Sequence, residues 1–385
     1  MQPVVLRTLR VAPLSVPLSS PFVIATARME ATRAVLVQVE LVRDDGVVFL
    51  GLGEAAALPP VTREDQPELL ATLGRASSAL EGLAIGAEVV RASSHGVAGL
   101  GAPVEALLNR TFEGSWVARA AVESALLDAF ARAQGVAVDR LLAGEGTLAR
   151  RLHTDITLSI AGPDEMVEAA RAWSARGFDC FKVKVGHAWQ RDCDALRAVH
   201  DALPGKRFRL DANEGFSAKQ ALALLDGVLG AGLVVECFEQ PCLRDDVAGM
   251  VEVTRSSPVP VVADESLRSM DDLEQILRTG AARGVNLKLV KLGGPLAALA
   301  VGRRAKAEGL GVMAGAMVET RLGLSAMAHV VSALGGVDWV DLDTHLLLAS
   351  DPFVGGMRTE GPRVEVGDDT TVGLGCTHHD VSLRA

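Results

Sequence analysis

Phe181-Lys182-Val183-Lys184-Val185-Gly186 is the stretch on which the reading of this chain turns. In a β-strand, residues two apart share a face. Lys182 and Lys184 therefore project side by side, while Phe181 and the valines point the other way. Two ammonium groups held together near other buried groups disfavour each other's charged form, which draws a lysine pKa down towards the range of a general base. A solvated edge strand explains such a pair equally well on its own. The flanking sequence decides between the two.

Around this stretch, strand-like and helix-like runs alternate. Strand patterns fall at 154–160, 180–185, 207–210, 234–238, 259–263, 285–289, 311–317 and 339–342, with helices beginning near 163, 190, 217, 244, 270, 295 and 322. Eight strands alternating with helices predict an α/β fold of the (β/α)8-barrel type. Before it, strands are predicted at 4–11, 34–42 and 47–54, the last two joined by an Asp44-Asp45-Gly46 hairpin turn. A polar, turn-rich stretch covers 17–28. Helices follow over 63–83 and 103–110, then an amphipathic helix over 116–134, closed by Gly135. The expected division is an α+β capping domain at 1–125, the barrel at 126–345, and a tail at 346–385 that packs back on the capping domain.

Catalytic groups of such barrels sit at the C-terminal ends of the strands. The predicted ends carry Lys182 and Lys184 on strand two, Asp211 on three, Glu239 on four, Asp264 on five, Lys288 on six, and Asp341 with Asp343 on eight. Any one of the single carboxylates reads as a helix N-cap. Three on consecutive strands, flanked by lysines, would repel one another unless a hard divalent cation neutralises them, and oxygen ligands with room for substrate describe Mg2+. Lys184 and Lys288 lie across the barrel from each other. A substrate between them would show each lysine one face of its α-carbon, so that one could remove a proton while the metal stabilises the developing charge. Asp341 and Asp343 share a strand face, and their natural partner is a substrate ammonium group.

Composition narrows the function classes. The 385 residues carry a formal net charge of −10, 49% hydrophobic residues and no tyrosine. This disfavours nucleic acid and anionic membranes as partners and favours a small molecule. The five cysteines, Cys180, Cys193, Cys237, Cys242 and Cys376, are odd in number and form no CxxC pair, as expected of reduced thiols in a cytoplasmic protein. The N-terminal residues alternate instead of forming a signal-like apolar core, and no run reaches membrane-spanning length without charges. A homo-oligomer stays open.

The set Lys182-x-Lys184, Asp211, Glu239, Asp264 and Lys288 before Gly293-Gly294 resembles the enolase superfamily, in its muconate-lactonizing subgroup, over positions 14 to 375. The resemblance implies a capping domain drawn from both termini, Mg2+ on Asp211, Glu239 and Asp264, Lys184 and Lys288 as the acid/base pair, and Lys182 as an electrostatic partner of the substrate carboxylate. Asp341-x-Asp343 is similar to the motif by which dipeptide epimerases hold the free amino terminus. The stretches 155–160 and 315–320 resemble the L-Ala-D/L-Glu epimerases in particular, although Thr344-His345 stand where many of those carry a proline. The reaction implied is Mg2+-dependent epimerisation of a dipeptide. Cycloisomerisation, o-succinylbenzoate synthesis and N-acyl amino acid racemisation are the alternatives within the subgroup. A metal-free Schiff-base lyase and a non-catalytic binding barrel are the alternatives outside it. Specificity is expected from Arg28, Thr157, Met317 and Val318. His187, His329 and His345 could be catalytic in another subgroup that uses a Lys/His pair, but His329 sits mid-helix and reads as a packed or surface residue, and Lys291, three after Lys288, falls off the strand face.

Overall fold

The computed structural model describes residues 3–86 and 101–379. Its centre is an eight-stranded sheet whose parallel strands pair in chain order. They are Ile156–Leu158, Cys180–Lys184, Arg207–Asp211, Val234–Glu239, Val261–Ala263, Gly284–Leu287, Gly311–Ala314 and Trp339–Val340. The ring closes where Asp155 N–H donates to Val340 O at 3.2 Å and Leu342 N–H to the Thr154 hydroxyl at 2.9 Å. Phe181, Val183, Phe208, Leu210 and Phe238 point outward under the helices and are fully buried, as expected for parallel strands covered on their outer face. Their neighbours in sequence point inward and carry the charges.

The first barrel strand, Ile156–Leu158, is shorter than its 154–160 pattern, and just before it Arg151–His153 pairs with tail strand Arg363–Glu365. The sixth stops at Leu287, and from Lys288 the chain bends into one helical turn, Leu289–Leu292.

The capping sheet is antiparallel, in the order Val48–Ala57, Arg33–Arg43, Val4–Leu14, Ala84–Ile85. A hairpin of Pro17–Val23 with Arg28–Ala31 stands where the sequence showed only turn signals. It reaches the barrel through Ile160 N–H to Val23 O at 3.1 Å and Ala349 N–H to Pro17 O at 2.8 Å. Its buried residues, Phe22, Ile24 and Met29, are too few to give a clear period-2 signal.

Helix Trp116–Gln134 has the expected bounds, and Gly135 closes it in the left-handed region at φ 68. It is not amphipathic: every residue from 117 to 131 is buried. It lies between the capping sheet and the barrel, so both faces are covered. Its charged residues cap buried backbone instead of meeting water. Glu123 accepts Leu296 N–H at 2.8 Å, and Asp128 accepts Leu52 N–H at 3.0 Å and Leu374 N–H at 2.7 Å. Glycine is required where the helix meets the sheet. A β-carbon on Gly51 would fall 2.0 Å from Ala125 O, and one on Gly53 2.0 Å from Ala121 O. Tail strands Phe353–Gly355 and Cys376–His378 pair alongside, and Arg132 donates to Cys376 O at 2.8 Å. Among the described residues, no helix is long and apolar enough to cross a membrane.

Candidate active site

The parallel ladder aligns the charged strand ends. Asp211 is in register with Lys184 on one side and Glu239 on the other. Asp264 follows the last residue of the next strand. Lys184 Nζ lies 2.6 Å from Asp211 Oδ2, and Lys182 Nζ lies 2.6 Å from Asp341, 2.8 Å from Glu239 and 3.2 Å from Asp211. Lys288 Nζ meets Asp264 at 2.8 Å. All are buried. Backbone strain gathers at the same place: Asn213, Glu214 and Gln240, just after two of these carboxylates, have φ of 41, 70 and 32. Such conformations each cost about 1–3 kcal/mol and persist where surrounding contacts impose them. Here Asn213 N–H bonds Asp211 at 3.0 Å, and the Gln240 amide bridges Asp264 N–H, at 2.9 Å, and the Ser266 hydroxyl, at 2.8 Å.

The charges do not balance evenly. Burial would push the Asp211 carboxyl up, but Lys184 and Lys182 outweigh it and hold it down at about 2. Asp264 is held well below the usual range against burial by Lys288 and Lys291. Glu239 is pushed up to about 7, by burial and then by the charge of Asp211. Glu239 is thus short of positive charge, and the trio supplies hard oxygen donors from three successive strand ends, though not gathered within 4.8 Å as Asp155, Asp341 and Asp343 are. That donor set fits a divalent cation such as Mg2+. The expectation that paired lysines depress one another is not met at Lys182. Burial does work against its charge, but Asp341, Glu239 and Asp211 outweigh it and its pKa is well above that of an ordinary lysine. Lys288 is likewise raised, Asp264 and Glu239 overcoming burial.

Lys291 belongs to this site although the strand pattern put it off the face. The chain leaves strand geometry at Lys288, and in the helical turn that follows, residues three apart share a side. Lys291 Nζ donates to both the carbonyl and the carboxylate of Asp264. A change of period just after a strand end is the signal that could have found it.

One cleft opens above these groups. Lys184, Lys288, Asn213, Thr157, Asp341 and Thr344 line its polar side, and Phe22, Ile24, Leu58, Val61, Ala316, Met317 and Val318 its apolar side. Asp343 stands behind Thr157, whose N–H it accepts at 2.6 Å, while its other oxygen, Oδ1, accepts no hydrogen bond among the described residues. It is pushed up to about 7 by burial and then by Asp341. Asp155 joins these two in a carboxylate cluster within 4.8 Å. Protein groups already meet that cluster: Arg209 reaches Asp155 at 2.8 Å and Lys182 reaches Asp341 at 2.6 Å. Arg28 does not line the cleft. Its side chain is 59% exposed and pairs with exposed Glu30 at 3.4 Å. His329 is buried and accepts Asp139 N–H at 3.1 Å, and His345 bonds Thr359 at 2.7 Å, so neither faces the cleft.

Comparisons with known proteins place the chain in a family. Residues 6–143 match the mandelate racemase/muconate lactonizing enzyme N-terminal domain, and residues 165–380 the enolase C-terminal domain-like family. The chain belongs to this family, the mandelate racemase/muconate lactonizing branch of the enolase superfamily. It is 36% identical over 356 residues to an L-Ala-D/L-amino acid epimerase of Populus trichocarpa, covering 91% of this chain and 79% of that one. It is 35% identical over 369 residues to an aromatic dipeptide epimerase of Herpetosiphon aurantiacus, covering 95% and 97%. The crystal structure of a dipeptide epimerase from Enterococcus faecalis, complexed with Mg and L-Leu-L-Tyr, superposes with a TM-score of 0.85 at 27% identity, over 98% of this chain and 100% of that one.

Proposed function

We propose that this protein epimerises a dipeptide by moving the α-proton of its second residue between Lys184 and Lys288. The protein is an enzyme of the isomerase class, a racemase or epimerase, and Mg2+ is its cofactor. In this reading Asp211, Glu239 and Asp264 hold the cation. When bound, it supplies a positive charge that holds the substrate carboxylate and offsets the charge that builds as the α-proton leaves. The observation that carries the reading is that Lys184 and Lys288, four strands apart, line one cleft above three carboxylates. A ligand lying between them offers each lysine one face. Lys182 keeps a permanent positive charge beside the carboxylate end. Asp341, on the cleft, takes the ammonium of the first residue, with the free oxygen of Asp343 behind it. The apolar side of the cleft, and the position of Arg28 outside it, favour a dipeptide with apolar side chains.

The test is proton exchange in D2O, followed by NMR on both epimers. Lys184→Ala and Lys288→Ala should each lower net epimerisation by about 10²–10⁴-fold, the usual weight of a general acid or base. Each should still exchange the α-proton of one epimer, and the two variants should prefer opposite epimers. Full epimerisation by either variant, or exchange of the same epimer by both, would sink the two-base assignment. Borohydride trapping of a lysine adduct in EDTA-treated protein would support a Schiff-base enzyme instead.

A further inference from the structure

Two carboxylates outside the reacting groups meet where the capping sheet touches the barrel. Glu54 comes from sheet strand Val48–Ala57 and is 5% exposed. Glu319 ends the loop after the seventh barrel strand and is 3% exposed. Glu54 accepts the Thr320 hydroxyl at 2.5 Å and two N–H groups at 3.0 Å, those of Thr320 and Gly323, at the start of helix Arg321–Ala333. Glu319 turns back onto its own loop and accepts Met317 N–H at 2.9 Å. A β-carbon on Gly323 would fall 2.2 Å from Glu319 Oε2 and 3.2 Å from Glu54 Oε2. Both carboxylates therefore crowd one spot on the helix's first turn.

Few other charges reach the pair. Asp351 faces Glu54, and it is itself taken up by Arg321 at 3.4 Å. Lys288 faces Glu319 across the cleft wall. Thr344, which receives Glu319 N–H at 3.2 Å, is neutral. Two buried carboxylates this close cannot both ionise without a large penalty, and they titrate as a pair. We infer that Glu54 and Glu319 are positioning residues that hold one proton between them, and that this proton fixes the wall formed by Ala316, Met317 and Val318 against the capping sheet.

The division of roles follows from the bonds. Glu54 accepts three hydrogen bonds at a helix N-terminus, where negative charge is favoured, and is the anion. Glu319 accepts one N–H and carries the proton. The titration order agrees: Glu319 is pushed up to about 8 by burial and then by Glu54, and Glu54 to about 7 by burial. Loss of the proton places a second negative charge in the same buried space, and the repulsion acts between the sheet and the loop that carries Met317. Glu319 has a folded pKa above its unfolded value, so the folded state binds the extra proton. Its contribution to stability is present at low pH and is lost as pH rises through about 8.

The experiment is amide hydrogen exchange of the 315–320 segment in the full chain with Mg2+, at pH 7 and pH 9, corrected for the intrinsic rate. Protection in the unaltered protein should fall by about tenfold once pH passes the Glu319 value by one unit. Glu319→Gln is neutral at every pH and keeps an oxygen for Met317, so its protection should stay flat. Glu54→Gln removes the charge that helps hold the Glu319 proton, so the drop should move to lower pH and vanish between pH 7 and pH 9. It serves as the second variant should Glu319→Gln fail to fold. Equal pH dependence in the unaltered protein and Glu319→Gln, or no dependence in either, overturns the shared proton. The role of the wall in substrate binding rests on the proposed function and is read separately. The substrate ammonium also titrates at about pH 8, so KM for an apolar dipeptide should rise above that pH in both proteins, but more steeply in the unaltered protein than in Glu319→Gln. If exchange switches while the two KM profiles coincide, the claim that this wall shapes the substrate site is overturned and the proton pair stands.

Discussion

The floor of the cleft carries Lys182, Lys184, Lys288, Asp211, Glu239, Asp264 and Asp341, set on strand ends or just beyond them and fixed by ladder hydrogen bonds. Its roof carries Phe22, Ile24, Leu58 and Val61, apolar residues on loops and a hairpin of the capping unit. On the floor, each charge is held within about 3 Å of an opposite one, so moving one group unbalances its neighbours. On the roof, contacts are non-directional and tolerate exchange of one apolar side chain for another. Under the proposed function, reaction chemistry and choice of substrate are therefore carried by different kinds of structure. Changes on the floor should abolish turnover, and changes on the roof should redirect it.

The largest effect should come from Glu239→Gln, which would leave the proposed cation site one carboxylate short. Mg2+ affinity, measured by calorimetry, should fall by at least about 100-fold, with activity lost in parallel. Unchanged affinity would remove Glu239 from the ligand set. Asp341→Asn should act next. Losing a charge-assisted bond to the substrate ammonium costs about 1.5–3 kcal/mol, or roughly 10–100-fold in kcat/KM, expressed mainly in KM. An N-acetylated dipeptide should lose a similar factor with the unaltered protein. If it turns over as well as the free dipeptide, a racemase of acylated amino acids becomes the better description. On the apolar side of the cleft, Phe22→Ala in the roof or Met317→Ala in the wall should lower kcat/KM for bulky apolar dipeptides by about 10-fold and leave Mg2+ affinity unchanged. The smallest effect belongs to Arg28→Ala. An exposed pair such as Arg28–Glu30 is worth about 0–1 kcal/mol. Activity on a dipeptide ending in glutamate should change by less than about 2-fold, and a large loss there would place Arg28 over the substrate after all.

The floor could be read from sequence because its signals are local. Alternation of period two placed Lys182 with Lys184, and the end of each apolar run located Asp211, Glu239 and Asp264. Lys291 escaped because the period changes one residue after Lys288, so a strand rule was applied inside a helical turn. The roof escaped for another reason. Phe22 and Ile24 lie in a polar hairpin whose burial depends on a barrel more than a hundred residues away. The helix at 116–134 was placed correctly but its environment was not, since Glu123 and Asp128 look like a solvent face and are instead buried caps. Glu54 and Glu319 had no local signal at all: Glu54 bonds a residue 266 positions away.

The contact of Gly51 and Gly53 with the central helix bears on how a substrate gets in. Sheet and helix touch backbone to backbone, with no layer of side chains between them to act as a sliding surface. The same helix is bonded to the barrel at Gly293 and Leu296. Sheet, helix and barrel are thus joined in series, and a hinge that swung the capping sheet away would have to break either buried backbone packing or buried hydrogen bonds. The hairpin Pro17–Val23 with Arg28–Ala31 is tied down by a handful of hydrogen bonds, among them Ser19 to Leu348 O at 3.1 Å and Val23 N–H to Ser159 at 3.3 Å. The opening that breaks fewer buried contacts is therefore the lifting of this flap of some fifteen residues and not the parting of two domains.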